Sequence, residues 1–184
     1  MNIPNCLTIL RILLTPLLAW LLLEKKLKAA LLVFFIAGLT DGLDGLIARV
    51  FRQKTRLGAY LDPLADKFLL VSTFILLGIR DLVPDWLVVI AVSRDILIIL
   101  GVLTLMFHNI PLEIRPSLLS KTTTLFQLLT LLAAMGSWFL VLPPNGYLAL
   151  YAITALLSVL SGIHYLFVGI SLLNSHRNRL HNPS

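Results

Sequence analysis

The chain has 184 residues, of which 58% are hydrophobic and 13% charged, and its formal net charge is +6. Soluble domains carry about 45–50% apolar and about 25% charged residues, so this composition excludes a soluble enzyme, a disordered chain and a secreted disulfide scaffold. The single cysteine, Cys6, excludes an intrachain disulfide and a cysteine-based metal site. The basic residues are scattered along short loops, which favours anionic lipid headgroups or phosphate-bearing substrates as partners, and not nucleic acid.

Six apolar segments follow one another along the chain, each close to the roughly 20 residues that a membrane-spanning helix needs. Pro143-Pro144-Asn145-Gly146 divides the last two segments within a stretch, 122–176, that contains no Asp, Glu, Lys or Arg. The predicted helices are about Leu7–Leu23, Ala29–Val50, Gly58–Ile79, Trp86–Met106, Leu118–Val141 and Tyr147–Leu173. The sequence therefore predicts an all-α, polytopic membrane protein with six transmembrane helices, formed by one domain over residues 1–184.

The positions of lysine and arginine predict how the helices are oriented, because these residues favour cytoplasmic loops. One face of a six-helix arrangement carries Arg49, Arg52, Lys54, Arg56, Arg115, Lys121, Arg177 and Arg179. The other face carries Lys25, Lys26, Lys28 and Arg80. We therefore expect a multi-pass protein of the inner (cytoplasmic) membrane with both termini in the cytoplasm.

Four of the nine acidic residues lie within 26 positions, on the second and third predicted helices. Asp41 and Asp44 are three residues apart and share one face of a helix, and Asp62 and Asp66 are four apart and do the same on the next helix. A short loop joins the two helices, so we expect them to be antiparallel neighbours. The sequence then predicts a polar cavity lined by four carboxylates, near the cytoplasmic ends of the helices.

The energetics of this arrangement indicate a metal site. A charged side chain inside a membrane helix costs about 2.5–3.5 kcal/mol, so four unpaired carboxylates would cost on the order of 10 kcal/mol. Arg49 and Lys67 are the local counter-charges. Four carboxylates offer up to eight hard oxygen ligands, which suit two divalent cations, Mg²⁺ or Mn²⁺, and the absence of Cys or a His pair nearby makes zinc a poor fit.

Eight positions of this region together resemble the signature of the CDP-alcohol phosphatidyltransferase family. The residues are Asp41-Gly-Leu-Asp44-Gly45-Leu-Ile-Ala48-Arg49, then eight residues, then Gly58-Ala-Tyr-Leu-Asp62-Pro-Leu-Ala-Asp66. The resemblance implies an all-helical membrane fold, usually a homodimer, with a cytoplasm-facing cavity. It also implies transfer of a phosphatidyl group from CDP-diacylglycerol to an alcohol, with release of CMP.

The same resemblance implies roles for the motif residues. Asp41, Asp44 and Asp62 should bind the metals together with Asp66, which should also be the base that activates the acceptor hydroxyl. Gly45, Arg49 and Gly58 should line the site of the CDP moiety. The chemistry of the residue types agrees, since glycine lets a ligand approach closely and a guanidinium can hold a phosphate by two hydrogen bonds.

The acceptor alcohol is indicated less directly, by polar residues on the fourth and fifth helices. Arg94, Arg115 and Lys121 could hold the phosphate of glycerol 3-phosphate, which is the preferred acceptor and would give phosphatidylglycerophosphate. Arg94 should face a cavity or pair with a carboxylate, whereas Asp95, its neighbour, should point elsewhere on the helix. Phosphatidylglycerol, the acceptor in cardiolipin synthesis, also carries a phosphate and is the main alternative, ahead of inositol phosphate, serine and choline. A divalent-cation transporter is the alternative from another class, since intramembrane carboxylates also suit a cation path.

Overall fold

A computed structural model describes residues 3–51, 56–107, 117–140 and 142–181 of the chain. Within the helices, several groups of side chains lie outside this description, among them those of 41–51, 56–64 and 172–181. The described residues form six α-helices and no β-strand, which confirms the predicted all-α class. In chain order the helices are α1 Ile3–Leu23, α2 Leu27–Phe51, α3 Arg56–Ile79, α4 Asp85–Phe107, α5 Leu118–Met135 and α6 Pro144–His181.

Two short turns join α1 to α2 and α3 to α4. Each contains a residue in the left-handed region that is not glycine, Lys25 with φ 63° and Asp81 with φ 54°. The guanidinium of Arg80 donates a hydrogen bond to the carbonyl oxygen of Leu22, so the two turns lie side by side. The ends of α1 and α3 therefore meet at the same end of the bundle.

Side-chain contacts show that α3 and α4 run antiparallel. Lys67, near the middle of α3, bonds to Asp95, near the middle of α4. Gly78, near the end of α3, lies against Val88, near the start of α4. A Cβ atom on Gly78 would come within 2.8 Å of a Val88 methyl group, so the two helices approach closely here.

Hydroxyl groups show that α5 and α6 are also antiparallel. Thr123, early in α5, donates to the carbonyl oxygen of Leu157, whereas Thr130, later in α5, bonds to Thr154, earlier in α6. The N-terminal ends of α1, α3 and α5 therefore lie at one end of the bundle with the C-terminal ends of α2, α4 and α6. The first and last described helices begin and end at that same end.

The end of α5 differs from the sequence prediction, which extended this helix to about Val141. The helix ends at Met135, and the backbone N–H of Gly136 bonds to the carbonyl oxygen of Leu132 at 2.8 Å. Glycine disfavours the helix interior and commonly follows the last helical residue, which explains the early end. The sixth helix begins three residues earlier than predicted, because proline is well accommodated in the first helical turn, and Pro144 lies there.

The apolar core occupies one half of the bundle, the half that contains the two short turns. It is built from the C-terminal halves of α1, α3 and α5 and the N-terminal halves of α2, α4 and α6. Its largest fully buried side chains include Leu18, Leu22, Phe34, Leu70, Phe74, Leu77, Leu87, Leu131 and Met135. We call this part of the bundle the apolar half.

Most of the buried polar side chains occupy the other half, which we call the polar half. Among them are Arg11, Arg94, Asp95, Ser120, Thr123, Gln127, Ser158 and Ser161, whereas the buried hydroxyl groups of Thr73, Thr130 and Thr154 lie in the apolar half. Because the C-terminal end of α2 and the N-terminal end of α3 belong to this half, the backbone carries the aspartate motif to the same end. The polar half therefore contains the helix segments that carry the motif.

The outer surface of the bundle is strongly apolar, with Leu13, Leu32, Phe68 and Phe167 more than half exposed. Within the described residues, two stretches are long and apolar enough to cross a membrane, Leu118–Met135 and Asn145–Gly169. Shorter apolar stretches occur in α1 and α2. A polar interior inside an apolar surface is the distribution expected for helices in a lipid bilayer.

Candidate active site

The aspartate motif lies on the last turns of α2 and the first turns of α3. Asp41 and Asp44 both fall in the helix Leu27–Phe51, and Asp62 falls in the helix that begins at Arg56, so their helical spacing is the one that the sequence predicted. Their side chains, with those of Gly45, Arg49 and Gly58, lie outside the described part of the structure. The four residues that connect α2 to α3 also lie outside it.

Helix α1 packs against both helices that carry the motif. Its apolar side chains Leu18 and Leu22 are fully buried in the shared core with Phe34 of α2 and Leu70 of α3. This packing lies in the apolar half and holds the two helices that carry the motif against a common partner.

Asp66 is the motif carboxylate whose side chain the structure describes, and it is partly buried. It lies in the third turn of α3, between the buried Ala65 and the largely buried Lys67. The side chain is thus neither fully buried nor fully exposed. A carboxylate can receive the proton of a substrate hydroxyl when the two groups come within hydrogen-bond distance.

Next to Asp66 begins a buried cluster of charged and hydroxyl side chains, which we call the Arg94 network. It consists of Lys67, Arg94, Asp95, Ser120 and Ser161, contributed by α3, α4, α5 and α6. The Asp95 Oδ1 atom accepts hydrogen bonds from Lys67 Nζ at 2.8 Å and from an Arg94 terminal nitrogen at 2.6 Å. The other terminal nitrogen of Arg94 donates to Ser120 Oγ at 2.8 Å and to Ser161 Oγ at 3.0 Å.

Two details of this network differ from the sequence prediction. Asp95 was expected to point away from Arg94, but the two side chains form an ion pair, since the long arginine side chain folds back toward its neighbour. Lys67 was counted among the counter-charges of the motif aspartates, but its ammonium group bonds to Asp95. The alternative that Arg94 pairs with a carboxylate is the one that the structure supports.

Two further residues, Lys121 and Arg115, are predicted to hold the phosphate of the acceptor. Lys121 lies at the start of α5 with an exposed side chain, directly after Ser120 of the Arg94 network. This end of α5 is capped by Ser117, whose hydroxyl oxygen accepts a hydrogen bond from the backbone of Ser120. Arg115 lies outside the described residues. The structure thus brings Arg94 close to the residue before Lys121.

The sequence did not predict that Ser161 binds Arg94. Ser161 lies in the long charge-free stretch of α6, where nothing in the pattern distinguishes it from Ser158, a buried hydroxyl of the same helix. The useful signal was the rule that an ionisable residue inside a membrane bundle needs a polar partner. Applied to Arg94, that rule predicts hydroxyl or carboxylate partners on neighbouring helices without saying which.

The described side chains include no group of three or more His, Cys, Asp and Glu residues that could hold a metal ion. Asp41, Asp44 and Asp62 lie outside the part of the structure that this statement covers. The fit of a metal ion to this site is therefore judged from the chemistry of the residues that would bind it. Carboxylates on two helices, at spacings that place each pair on one face, are the oxygen ligands that Mg²⁺ and Mn²⁺ prefer.

Curated proteins similar to this chain include cardiolipin synthases and glycerol-3-phosphate phosphatidyltransferases. Cardiolipin synthase (CMP-forming) of Rattus norvegicus is 36% identical over 91% of this chain and 61% of its own length. The CDP-diacylglycerol--glycerol-3-phosphate 3-phosphatidyltransferase of Aquifex aeolicus is 37% identical over 72% of this chain and 75% of its own length. The protein of the same name from Haemophilus influenzae is 42% identical over 53% of this chain and 55% of its own length.

The chain spans about three fifths of the length of the rat cardiolipin synthase that it matches. The sequence model described as CDP-alcohol phosphatidyltransferase matches residues 1–171, which include both motif helices and the whole Arg94 network. This match covers nearly the entire chain, and the chain therefore belongs to the CDP-alcohol phosphatidyltransferase family.

Proposed function

We propose that this protein transfers the phosphatidyl group of CDP-diacylglycerol to the hydroxyl group of an alcohol and releases CMP. The observation that carries the proposal is the complete eight-residue motif on α2 and α3, in a chain that belongs to the family. In this reaction the acceptor oxygen attacks the phosphorus that bears the diacylglycerol. The bond from that phosphorus to the oxygen of CMP breaks, and CMP leaves with the electron pair.

Asp66 is the proposed base. The acceptor hydroxyl loses its proton as its oxygen attacks, and a carboxylate within hydrogen-bond distance can receive that proton. Asp66 lies on the motif face of α3 and is partly buried, which supports this role. General bases typically contribute about 10²–10⁴-fold to a rate.

Asp41, Asp44 and Asp62, joined by Asp66, are the residues that would hold two divalent cations, Mg²⁺ or Mn²⁺. Bound cations would supply positive charge for the pyrophosphate of the donor and for the phosphate that is transferred. The four carboxylates would in turn be neutralised, which offsets the cost of placing them in a membrane bundle. Gly45, Arg49 and Gly58 are proposed to line the CDP site, with the Arg49 guanidinium on a phosphate.

The proposed acceptor is a glycerol that carries a phosphate, with glycerol 3-phosphate as the first candidate. The match to the Aquifex aeolicus enzyme, which covers about three quarters of both proteins, supports this choice. Arg115 and Lys121 are proposed to hold the acceptor phosphate together with Arg94. Arg94 already donates to Asp95, Ser120 and Ser161, and these bonds hold its guanidinium in place beside the start of α5.

Phosphatidylglycerol is the second candidate acceptor, in which case the product is cardiolipin. A specific observation favours it, since the match to the rat cardiolipin synthase extends over 91% of this chain and the match to the Aquifex aeolicus enzyme over 72%. Both acceptors present a phosphate and a glycerol hydroxyl, so the same basic residues suit either. They differ in whether the acceptor reaches the site from water or from the bilayer.

The proposal includes a place for the protein in the cell. We infer that all six helices span the inner membrane, with the polar half facing the cytoplasm and both termini on that side. The diacylglycerol tails then stay in the bilayer while the nucleotide enters a polar cavity. A homodimer is part of this proposal and rests on the family resemblance.

The test is purified protein in detergent with Mg²⁺ or Mn²⁺ and CDP-diacylglycerol labelled in the acyl chain. Glycerol 3-phosphate, phosphatidylglycerol, inositol phosphate, serine and choline are offered one at a time. We expect one labelled lipid product, phosphatidylglycerophosphate with glycerol 3-phosphate. Cardiolipin formed from phosphatidylglycerol alone would establish the second candidate. A labelled product with serine or choline alone would contradict both.

A further inference from the structure

The Arg94 network connects two parts of the proposed site, the turn of α3 that carries Asp66 and the start of α5 that carries Lys121. The connection runs through the carboxylate of Asp95. We propose that Asp95 is a positioning residue, which holds the turn of α3 that carries Asp66 in place relative to the N-terminal end of α5. The inference rests on the proposed function, because it gives Asp95 a part in the same transfer reaction. Asp95 itself is not proposed to contact a substrate.

The first contact of this connection joins Asp95 to Lys67, the neighbour of the proposed base Asp66. Lys67 Nζ donates to Asp95 Oδ1 at 2.8 Å, and the side chains are 11% and 1% exposed. Lys67 follows Asp66 directly in α3, so a bond that holds Lys67 also restricts the helical turn that carries the base. A charge-assisted bond in buried surroundings is short and directional, and it tolerates little displacement of its partners.

The second part of the connection runs from Asp95 through Arg94 to the start of α5, which carries Lys121. The Oδ1 atom that accepts from Lys67 also accepts from Arg94 at 2.6 Å. Arg94 donates in turn to Ser120 Oγ at 2.8 Å, and Ser120 precedes Lys121 at the start of α5. One carboxylate oxygen therefore connects the neighbour of the base with the neighbour of a residue proposed to hold the acceptor phosphate.

The charges of the network explain why this arrangement is sensitive to Asp95. Two buried cations share one carboxylate, so loss of that negative charge leaves Lys67 and Arg94 in mutual repulsion. Lys67 on α3 and Arg94 on α4 would then separate, and the bond from Arg94 to Ser120 would pass the displacement on to the start of α5. A displacement of about 1 Å at a reacting group can cost about 10²-fold in rate, so the effect would appear in kcat.

The experiment compares Asp95→Asn, Lys67→Met and the double variant in the full-length, purified protein. For each, kcat and the KM of donor and acceptor are measured from CMP release. We expect each single variant to lower kcat at least about tenfold while the donor KM changes less than about threefold. Both changes break the same contact between Lys67 and Asp95. The kcat of the double variant is therefore expected to lie within about twofold of the kcat of the less active single variant.

A matched control separates positioning from a general loss of packing. Thr130→Val removes the buried hydrogen bond between Thr130 and Thr154, which is 2.8 Å long. Thr130 lies ten residues beyond Ser120 in α5, about 15 Å along the helix. This variant is expected to lower the Tm and leave kcat unchanged. If Asp95→Asn does not fold, Lys67→Met decides, because it leaves the ion pair of Arg94 and Asp95 intact.

Each outcome has a defined meaning. If the wild-type protein releases no CMP, the proposed function fails and this inference fails with it. If the wild type is active and folded Lys67→Met and Asp95→Asn keep its kcat, the inference is overturned and the proposed function stands. If the losses of the two single variants multiply in the double variant, Asp95 does not act through Lys67, and the inference is likewise overturned.

Discussion

Two groups of charged side chains inside this bundle differ in what compensates their charge. Lys67 and Arg94 share one carboxylate, that of Asp95, by contacts within the protein. For the motif aspartates we propose divalent cations as partners. The difference matters for mutation, because a carboxylate that binds a cation can lose its charge and keep the fold, whereas a buried ion pair that loses one partner leaves an uncompensated charge.

Asp41→Asn, Asp44→Asn and Asp62→Asn are each expected to abolish turnover without unfolding the protein. Asparagine keeps the shape of the side chain but removes a ligand charge, so cation binding weakens and the pyrophosphate is misplaced. The measurement is turnover of folded, detergent-purified variants at saturating Mg²⁺ or Mn²⁺. Asp81→Asn, in the exposed turn at the other end of the bundle, is the control and should retain activity. Turnover near that of the wild type in all three motif variants would contradict the metal site.

Asp66→Asn is expected to lower kcat by about 10²–10⁴-fold while the affinity for the donor changes much less. An amide oxygen can still contact a cation, but the amide cannot receive the proton of the acceptor hydroxyl. Equilibrium binding of a CDP-diacylglycerol analogue is measured beside steady-state rates. If binding and rate collapse together, Asp66 is mainly a metal ligand and another group accepts the proton.

Arg49→Ala is expected to reduce kcat/KM for the CDP-lipid donor at least about tenfold. A charge-assisted hydrogen bond to a phosphate is worth about 1.5–3 kcal/mol, and 1.4 kcal/mol corresponds to a factor of ten. Steady-state rates at varied donor concentration measure the effect. Arg56→Ala, in the first turn of the next helix, is a control for the loss of one positive charge from the same end. An unchanged kcat/KM in Arg49→Ala would assign Arg49 to membrane anchoring alone.

At the scale of helices, the close approach of α3 and α4 depends on Gly78. We expect Gly78→Ala to lower the free energy of unfolding by about 1–3 kcal/mol, because the added methyl group would lie 2.8 Å from Val88 Cγ2. Chemical or thermal unfolding in detergent measures the change. Gly38→Ala, where nothing lies within 4 Å of the added atom, is the control and should be neutral or stabilising. Restoration of stability by Val88→Ala in the Gly78→Ala background would identify the clash as the cause.

The sequence predicted the number and order of the helices because apolar runs and charged breaks alternate clearly along the chain. It predicted the end of α5 less well, since Gly136 interrupts an apolar run that otherwise continues. It also missed the pairing of Arg94 with Asp95, because helical periodicity gives the direction of each Cβ atom and not the path of a long side chain. The partners Ser120 and Ser161 depend on helix packing, which the pattern of one helix does not contain.

On the scale of the whole molecule, the bundle is divided into an apolar half that packs and a polar half that carries the motif. The apolar half buries side chains of all six helices and so packs the helices that carry the motif against the rest of the bundle. The polar half contains the Arg94 network, at the end that includes the last turns of α2 and the first turns of α3. An apolar exterior around such an interior suits an enzyme whose donor is a lipid and whose chemistry is ionic.

A cation transporter would also place carboxylates inside a membrane bundle, but it would not break a phosphate bond. The phosphatidyl transfer reaction is therefore tested most directly by CMP release. Purified wild-type protein is given CDP-diacylglycerol labelled in both the cytidine and the acyl chain, with Mg²⁺ or Mn²⁺ and glycerol 3-phosphate or phosphatidylglycerol. We expect CMP and a new labelled phospholipid in equal amounts, both lost on removal of the cation or in Asp41→Asn. Absence of CMP release with either acceptor would contradict the account, and so would release of CMP that does not depend on an acceptor.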